Sequence, residues 1–280
     1  MDIPNELGVL LGNGSDELIQ LMALACEAGD TVLSVEPSFV MYEMIAKFTR
    51  LNYQGVLLDD NFEINLDSTL DEIKRTQPKL IFIAYPNNPT GNPFNRESIH
   101  TIINESDALV VVDEAYYAYS EDSFLNEVAN YPNLVLLRTI SKMGFAGLRL
   151  GLLIGSQDTI RELDKLRLPY NINTLTQASA NFLLKEKDHI IANANIIIDE
   201  RQRLFDELTV MPGLKVFPSQ ANFLLIKVDD AKSLFEFLKA NGILVKSFTM
   251  NPQLSSCIRL TVGNPSENNE FLEQIKSYYG

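Results

Sequence analysis

Short apolar runs punctuate the first half of the chain, at residues 8–11, 31–35, 55–58, 80–84, 108–112, 134–137 and 151–154. The runs at 80–84, 108–112 and 134–137 are apolar at every position. A strand wet on one face alternates polar and apolar residues, so an unbroken run predicts a strand covered on both faces. Between the runs, apolar positions recur at helical spacing. Leu18, Ile19, Met22 and Ala25 share one face of a helix for which Ser15 or Asp16 is a natural N-cap. Further helices are predicted over 40–48, 70–74 and 96–104. Strands alternating with helices predict an α/β fold: a mostly parallel sheet flanked by helices on both sides.

Behind residue 157 the pattern changes. Helical periodicity dominates 158–208, interrupted at 168–171, and short strands follow near 214–217, 223–227, 243–245 and 257–261. Helices are predicted at 231–240 and 266–278. This reads as a smaller C-terminal α+β domain. The expected division is a large domain over 1–169 and a small one over 170–280.

The topology gives the polar residues a meaning that their local motifs lack. Ligands of parallel sheets bind beyond the carboxyl ends of the strands. Gly14, Asn88, Asp113 and Lys142 each stand at or just past such an end and should converge on one rim. Lys142 sits in 138–149 (RTISKMGFAGLR), directly behind a buried strand. Desolvation and nearby cations lower a lysine's pKa and free its amine for Schiff-base chemistry, and the surrounding hydroxyls, amides and arginine could hold a phosphate. Taken alone, the stretch reads equally well as a surface loop. Likewise 12–17 (GNGSDE) could be an anion site at a helix start or merely a tight turn into a capped helix. Phe39 could be core, Asn88 a turn former, and Arg149 and Arg259 surface arginines. Asp113 is harder to dismiss, because a carboxylate directly behind four apolar residues is costly to bury unpaired.

Composition narrows the partners. The 280 residues are 46% hydrophobic and carry a net charge of −14, which suits a folded chain with a sizeable core and argues against nucleic acid or an anionic membrane as a partner. The two cysteines, Cys26 and Cys257, suggest no disulfide framework, and no His/Cys/Asp cluster has metal-ligand spacing. His100 and His189 read as structural. With no spanning apolar run and no signal-peptide core at the start, a cytoplasmic location is expected.

An acid at one strand end, a lysine at another and a phosphate cradle at a third match the needs of pyridoxal 5′-phosphate: a covalent anchor, a carboxylate facing the ring nitrogen and a flat partner for the ring. The segments 11–19 (LGNGSDELI), 37–42 (PSFVMY), 85–91 (YPNNPTG), 112–116 (VDEAY), 138–149, 221–223 (ANF) and 257–263 (CIRLTVG) resemble, in order and spacing, the histidinol-phosphate aminotransferase family of the aspartate-aminotransferase-like (fold type I) superfamily. The resemblance covers nearly the whole chain. It implies an aspartate-aminotransferase-like large domain and the transamination of L-histidinol phosphate with glutamate/2-oxoglutarate, in histidine biosynthesis.

By the same resemblance, Lys142 would form the Schiff base and move protons, and Asp113 would pair with the pyridinium nitrogen. Asn88 and Tyr116 would donate to the ring 3′ oxygen and Phe39 would stack on the ring. Gly14, Ser15 and Asp16, with Thr139, Ser141 and Arg149, would hold the phosphate. Arg259 would grip the substrate's anionic group, assisted by Asn222 and by Lys246, where relatives often have Arg. A homodimer is implied. The family usually carries several dozen residues before the glycine-rich turn, including an arm and a tyrosine that reaches the neighbouring subunit, whereas eleven precede Gly12 here. The resemblance therefore also admits a cofactor-binding chain without turnover, and, within the superfamily, an aromatic aminotransferase or a threonine-phosphate decarboxylase-like enzyme.

Overall fold

The computed structural model describes residues 3–280. Seven strands form the larger sheet: β1 (Leu7–Gly12), β2 (Thr31–Glu36), β3 (Asn52–Leu57), β4 (Leu80–Ala84), β5 (Leu109–Asp113), β6 (Leu134–Thr139) and β7 (Gly151–Ser156). Their order is β1-β7-β6-β5-β4-β2-β3. The pairs β2/β3, β2/β4, β4/β5 and β5/β6 are parallel, while β7 runs against both its neighbours. The sheet is thus mostly parallel, as expected, and the reversed β7 lets β6 return through a short connection.

The two faces of the sheet are both dry. Strand alternation sends Val110, Val112, Leu134 and Leu136 into one apolar cluster and Val111, Val135 and Leu137 into another. Burying each such side chain is worth about 1.5–3 kcal/mol, which explains why the central strands hold no polar residue until their last one or two positions. The second cluster lies under α1 (Ser15–Leu24) and α2 (Met41–Phe48), and the first lies under α3 (Leu66–Thr76) and α4 (Arg96–Asn104). Asn65 and Asn95 cap α3 and α4 through their side chains.

The remaining helices are α5 (Gln157–Asp164), α6 (Thr174–Leu183), α7 (Lys187–Thr209), α8 (Ala231–Ala240) and α9 (Pro265–Tyr279). A second sheet, β10-β11-β9-β8, joins β8 (Leu214–Val216), β9 (Phe223–Val228), β10 (Lys246–Ser247) and β11 (Cys257–Thr261), all antiparallel. The strand expected at 243–245 is displaced to β10. The residues behind α8 are still closing its C-terminus, where Ile243 N–H donates to Leu238 O. Helix α6 leans on the first sheet's side, with Thr176 Oγ1 donating to Leu148 O. Helix α7 bridges the halves: its buried Arg201 donates to the carbonyls of Tyr119 and Ala221. Among the described residues no helix is long and apolar enough to cross a membrane.

Candidate functional site

The strand ends do converge. A cleft of about 540 Å³, partly open to solvent, is walled by Ser15, Asp16, Phe39, Asn88, Asp113, Tyr116, Thr139, Ser141, Lys142 and Arg149, ten of the residues singled out from the sequence. Gly14 stands directly behind Arg149, and a Cβ there would lie 2.3 Å from Arg149 Nη2.

One end of the cleft suits an anion. Helix α1 starts at Ser15 behind Gly14, and no side chain caps it. The expected cap at Ser15 or Asp16 is therefore corrected: the cap position is Gly14, at φ 85°, a region that favours glycine. Gly151 must also stay bare, since its Cβ would lie 2.6 Å from Ser15 N. These two glycines let β7 cross under the helix start. They bring its free N–H groups and positive dipole end beside Ser141, Thr139 and Arg149. Thr139 Oγ1 lies 2.8 Å from Ser141 Oγ, and Arg149 Nη2 reaches Asp16 at 3.0 Å.

The floor of the cleft is Asp113, only 4% exposed. Burial pushes its carboxyl up from 3.8 to about 6, against the hydrogen bonds and the Lys142 charge that pull it down. The hydroxyl of Tyr42 donates to Oδ2 at 2.6 Å and Ala115 N–H donates to Oδ1 at 3.0 Å. Tyr42 was not read as a site residue from the sequence. It comes from α2, stacks on Phe82 at 4.7 Å and meets Phe39 edge-on at 5.5 Å. The available signal was physical: a buried acid needs a donor, and Tyr42 lies one helical turn beyond Phe39.

Lys142 stands on the turn behind β6. Its carbonyl accepts from Tyr119 Oη at 2.6 Å, and its Nζ lies 5.5 Å from the centre of the Tyr116 ring. Tyr116 is buried, and burial pushes its phenol up to about 12, so it stays a hydrogen-bond donor near neutral pH.

The second sheet overlooks the mouth. Arg259 on β11 donates to the Asn88 side-chain oxygen, lies 4.8 Å from the centre of the Phe223 ring, and keeps a buried Nε with no partner. Accepting at its oxygen leaves Asn88 its NH₂ group for the cleft. Asn87, by contrast, is spent on structure, since its side chain ties Pro37 and Thr90 together. Lys246 faces Arg259 across the β10/β11 pair, so the two share a face, although Lys246 is exposed. Asn222 sits beside the Tyr119 hydroxyl. Arg259, Lys246 and Asn222 therefore lie at or beyond the rim and not in the wall. His100 bonds Glu127 at 2.6 Å, away from the cleft.

The chain is similar in sequence and fold to known proteins. A histidinol-phosphate aminotransferase of Vesicomyosocius okutanii subsp. Calyptogena okutanii (strain HA) is 63% identical over 279 residues, covering 100% of this chain and 79% of the relative. The crystal structure of the histidinol-phosphate aminotransferase from Clostridium acetobutylicum superposes with a TM-score of 0.90 at 26% identity, over 98% of this chain and 84% of that one. A histidinol-phosphate aminotransferase from Sinorhizobium meliloti in complex with pyridoxal-5′-phosphate gives 0.86 at 25% identity, over 96% and 77%. The family model of aminotransferase class I and II matches residues 2–275, and the chain belongs to that family.

Proposed function

We propose that this chain is a pyridoxal-phosphate-dependent aminotransferase that takes the amino group of L-histidinol phosphate, with 2-oxoglutarate as acceptor, in histidine biosynthesis. The observation that carries the reading is one cleft holding Lys142, a buried Asp113 braced by Tyr42, and an uncapped helix start beside Arg149. These residues fit the cofactor, because the anion cradle and the buried acid stand at different parts of a cleft that Phe39 flanks. When bound, the cofactor supplies an electron sink for the pair released as the substrate Cα–H bond breaks.

The protein's own groups do the rest. Lys142 Nζ would hold the cofactor covalently and, as a free amine, would carry the substrate Cα proton. Asp113 keeps a proton on the ring nitrogen. The Asn88 NH₂ group and the Tyr116 hydroxyl donate to the ring oxygen. The α1 N–H groups of Ser15 and Asp16, with Thr139, Ser141 and Arg149, hold the phosphate, whereas Gly14 N–H is taken by Gly12 O at 2.8 Å and Gly14 serves as the bare turn behind Arg149. Arg259 Nε is the free donor for the anionic end of the substrate, with Lys246 and Asn222 further out. Purified protein mixed with pyridoxal phosphate and reduced with borohydride should carry the adduct on Lys142, and added histidinol phosphate should bleach the unreduced visible band. An adduct elsewhere, or none, overturns the reading.

Two variants test the supporting contacts. Arg259→Gln should raise KM for histidinol phosphate about 30-fold, the loss of a charged hydrogen bond of about 2 kcal/mol. Steady-state kinetics should show a smaller fall in kcat, through the freed Asn88. Tyr42→Phe removes the donor on Asp113, so its carboxyl should rise further and kcat/KM should fall about tenfold. The pH profile of kcat/KM reads that shift.

The same reading includes a cytoplasmic location, the division at 169/170, and a homodimer. Exposed Leu168, Tyr170, Leu175 and Phe182 support the dimer, being large apolar side chains left outside the core. A light-scattering mass twice that of the chain is the expected result.

A further inference from the structure

The most deeply buried ion pair among the described residues lies on the back of the cleft. Glu114 and Arg138 directly follow and precede the cleft residues Asp113 and Thr139, so strand alternation turns their side chains to the opposite face of the sheet. Both are buried, at 0% and 4% exposure. Arg138 Nε and Nη2 donate to Glu114 Oε2 at 2.9 and 2.7 Å. Ser123 Oγ accepts from Arg138 Nη2 at 2.7 Å and donates to Glu114 Oε2 at 3.0 Å. Phe124 N–H donates to Glu114 Oε1 at 2.7 Å, and the Arg138 guanidinium lies 4.5 Å from the centre of the Tyr117 ring.

The position matters more than the strength. The β5/β6 register ends with Asp113 opposite Leu137, and one more backbone bond runs from Glu114 N–H to Leu137 O. Past that point the turn of Asp113 and the turn of Lys142 would be joined by the Tyr119 Oη to Lys142 O bond and by this ion pair. Replacing a buried ion pair by apolar residues of similar volume is often neutral or stabilising, so stability alone gives little reason to keep one here.

We propose that Glu114 and Arg138 are positioning residues, a clamp behind the sheet that sets the spacing between Asp113 and Lys142 and so tunes the protonation of the lysine-bound cofactor. The inference rests on the cofactor reading above. With the clamp gone, Asp113 stands less firmly at the ring nitrogen, the ring carries less positive charge, and a proton on the Lys142 nitrogen is held more tightly.

The test uses the cofactor-loaded protein and its visible band, titrated with pH, together with the rate of cofactor release. The double variant Glu114→Leu with Arg138→Met should melt within a few degrees of the parent, while its spectral midpoint rises by about one pH unit and release quickens about tenfold. Arg138→Lys, which keeps the charge, should stay closer to the parent. Ser123→Ala removes one hydrogen bond from each partner without leaving a charge unpaired. It should shift the midpoint the same way by a few tenths of a unit, and it decides the matter if the double variant does not fold. Parental midpoints and release rates in the folded variants would overturn the clamp while leaving the cofactor reading intact. A parent that takes no adduct at Lys142 overturns both.

Discussion

Lys142→Ala is expected to lose about 10⁴-fold in kcat/KM, roughly 5.5 kcal/mol of transition-state stabilisation, because one side chain supplies both the covalent anchor and the proton carrier. The fold should survive. The Lys142 side chain is only half-buried, and the bond from the Tyr119 hydroxyl to the Lys142 carbonyl at 2.6 Å uses only the backbone of Lys142, so it survives the substitution. Melting temperature should therefore stay near the parent's while the borohydride-fixed adduct disappears. Arginine at this position keeps the charge but is no nucleophile near neutral pH, so Lys142→Arg should fail equally. Measurable single-turnover transfer by either variant at a tenth of the parental rate would remove Lys142 from the mechanism.

Asp113→Asn is expected to lower kcat/KM about 10³-fold, the 3–5 kcal/mol range seen when one partner of a buried charge pair is removed. Asparagine has one acceptor oxygen for the two donors, Tyr42 Oη and Ala115 N–H, so the loss combines the charge with one of these hydrogen bonds. The same residue gives the cofactor-free protein a pH dependence. Its carboxyl titrates at about 6 when folded against 3.8 when unfolded. Between those values the folded state holds a proton that the unfolded state has lost, so stability falls as pH rises. Above about 6 both states are ionised and the deficit is constant, near 3 kcal/mol for a shift of about two units. Urea titrations of the cofactor-free protein from pH 4 to 7 should show this decline, and Asp113→Asn should flatten it. Cofactor binding should cancel it too, because a cationic ring nitrogen stabilises the buried carboxylate. A parent whose stability is level across the range would remove the desolvation argument.

Much of the site was legible because parallel strands impose a rule. Once 80–84, 108–112 and 134–137 are read as buried strands, Asn88, Asp113 and Lys142 must emerge on one rim, whatever the local motifs suggest. The apolar run before Asp113 also carries its own warning that a carboxylate there will be desolvated. What escaped the sequence depends on contacts between distant positions. Tyr42 and Asp113 are 71 positions apart, and Asn88 and Arg259 are 171 apart. A tyrosine on the apolar face of α2 looks like any other core residue until the acid beneath it is seen. Gly14 as the cap position follows from Gly151 passing under it, a close approach that no local pattern encodes.

The sequence by itself determined the strand and helix order, the two covered faces of the large sheet, and the rim at which the polar groups meet. Periodicity and hydrophobicity are local properties of the chain, and parallel strands leave their polar groups at the same end. Tertiary structure alone decided the depth and the company of those groups. It buried Asp113 under Tyr42, turned the Asn88 amide by pairing its oxygen with Arg259, left Lys246 in solvent, and joined Glu114 to Arg138 behind the cleft. Those outcomes depend on which side chains fill the low-dielectric space around each group. That space exists only when helices and strands from remote parts of the chain have packed.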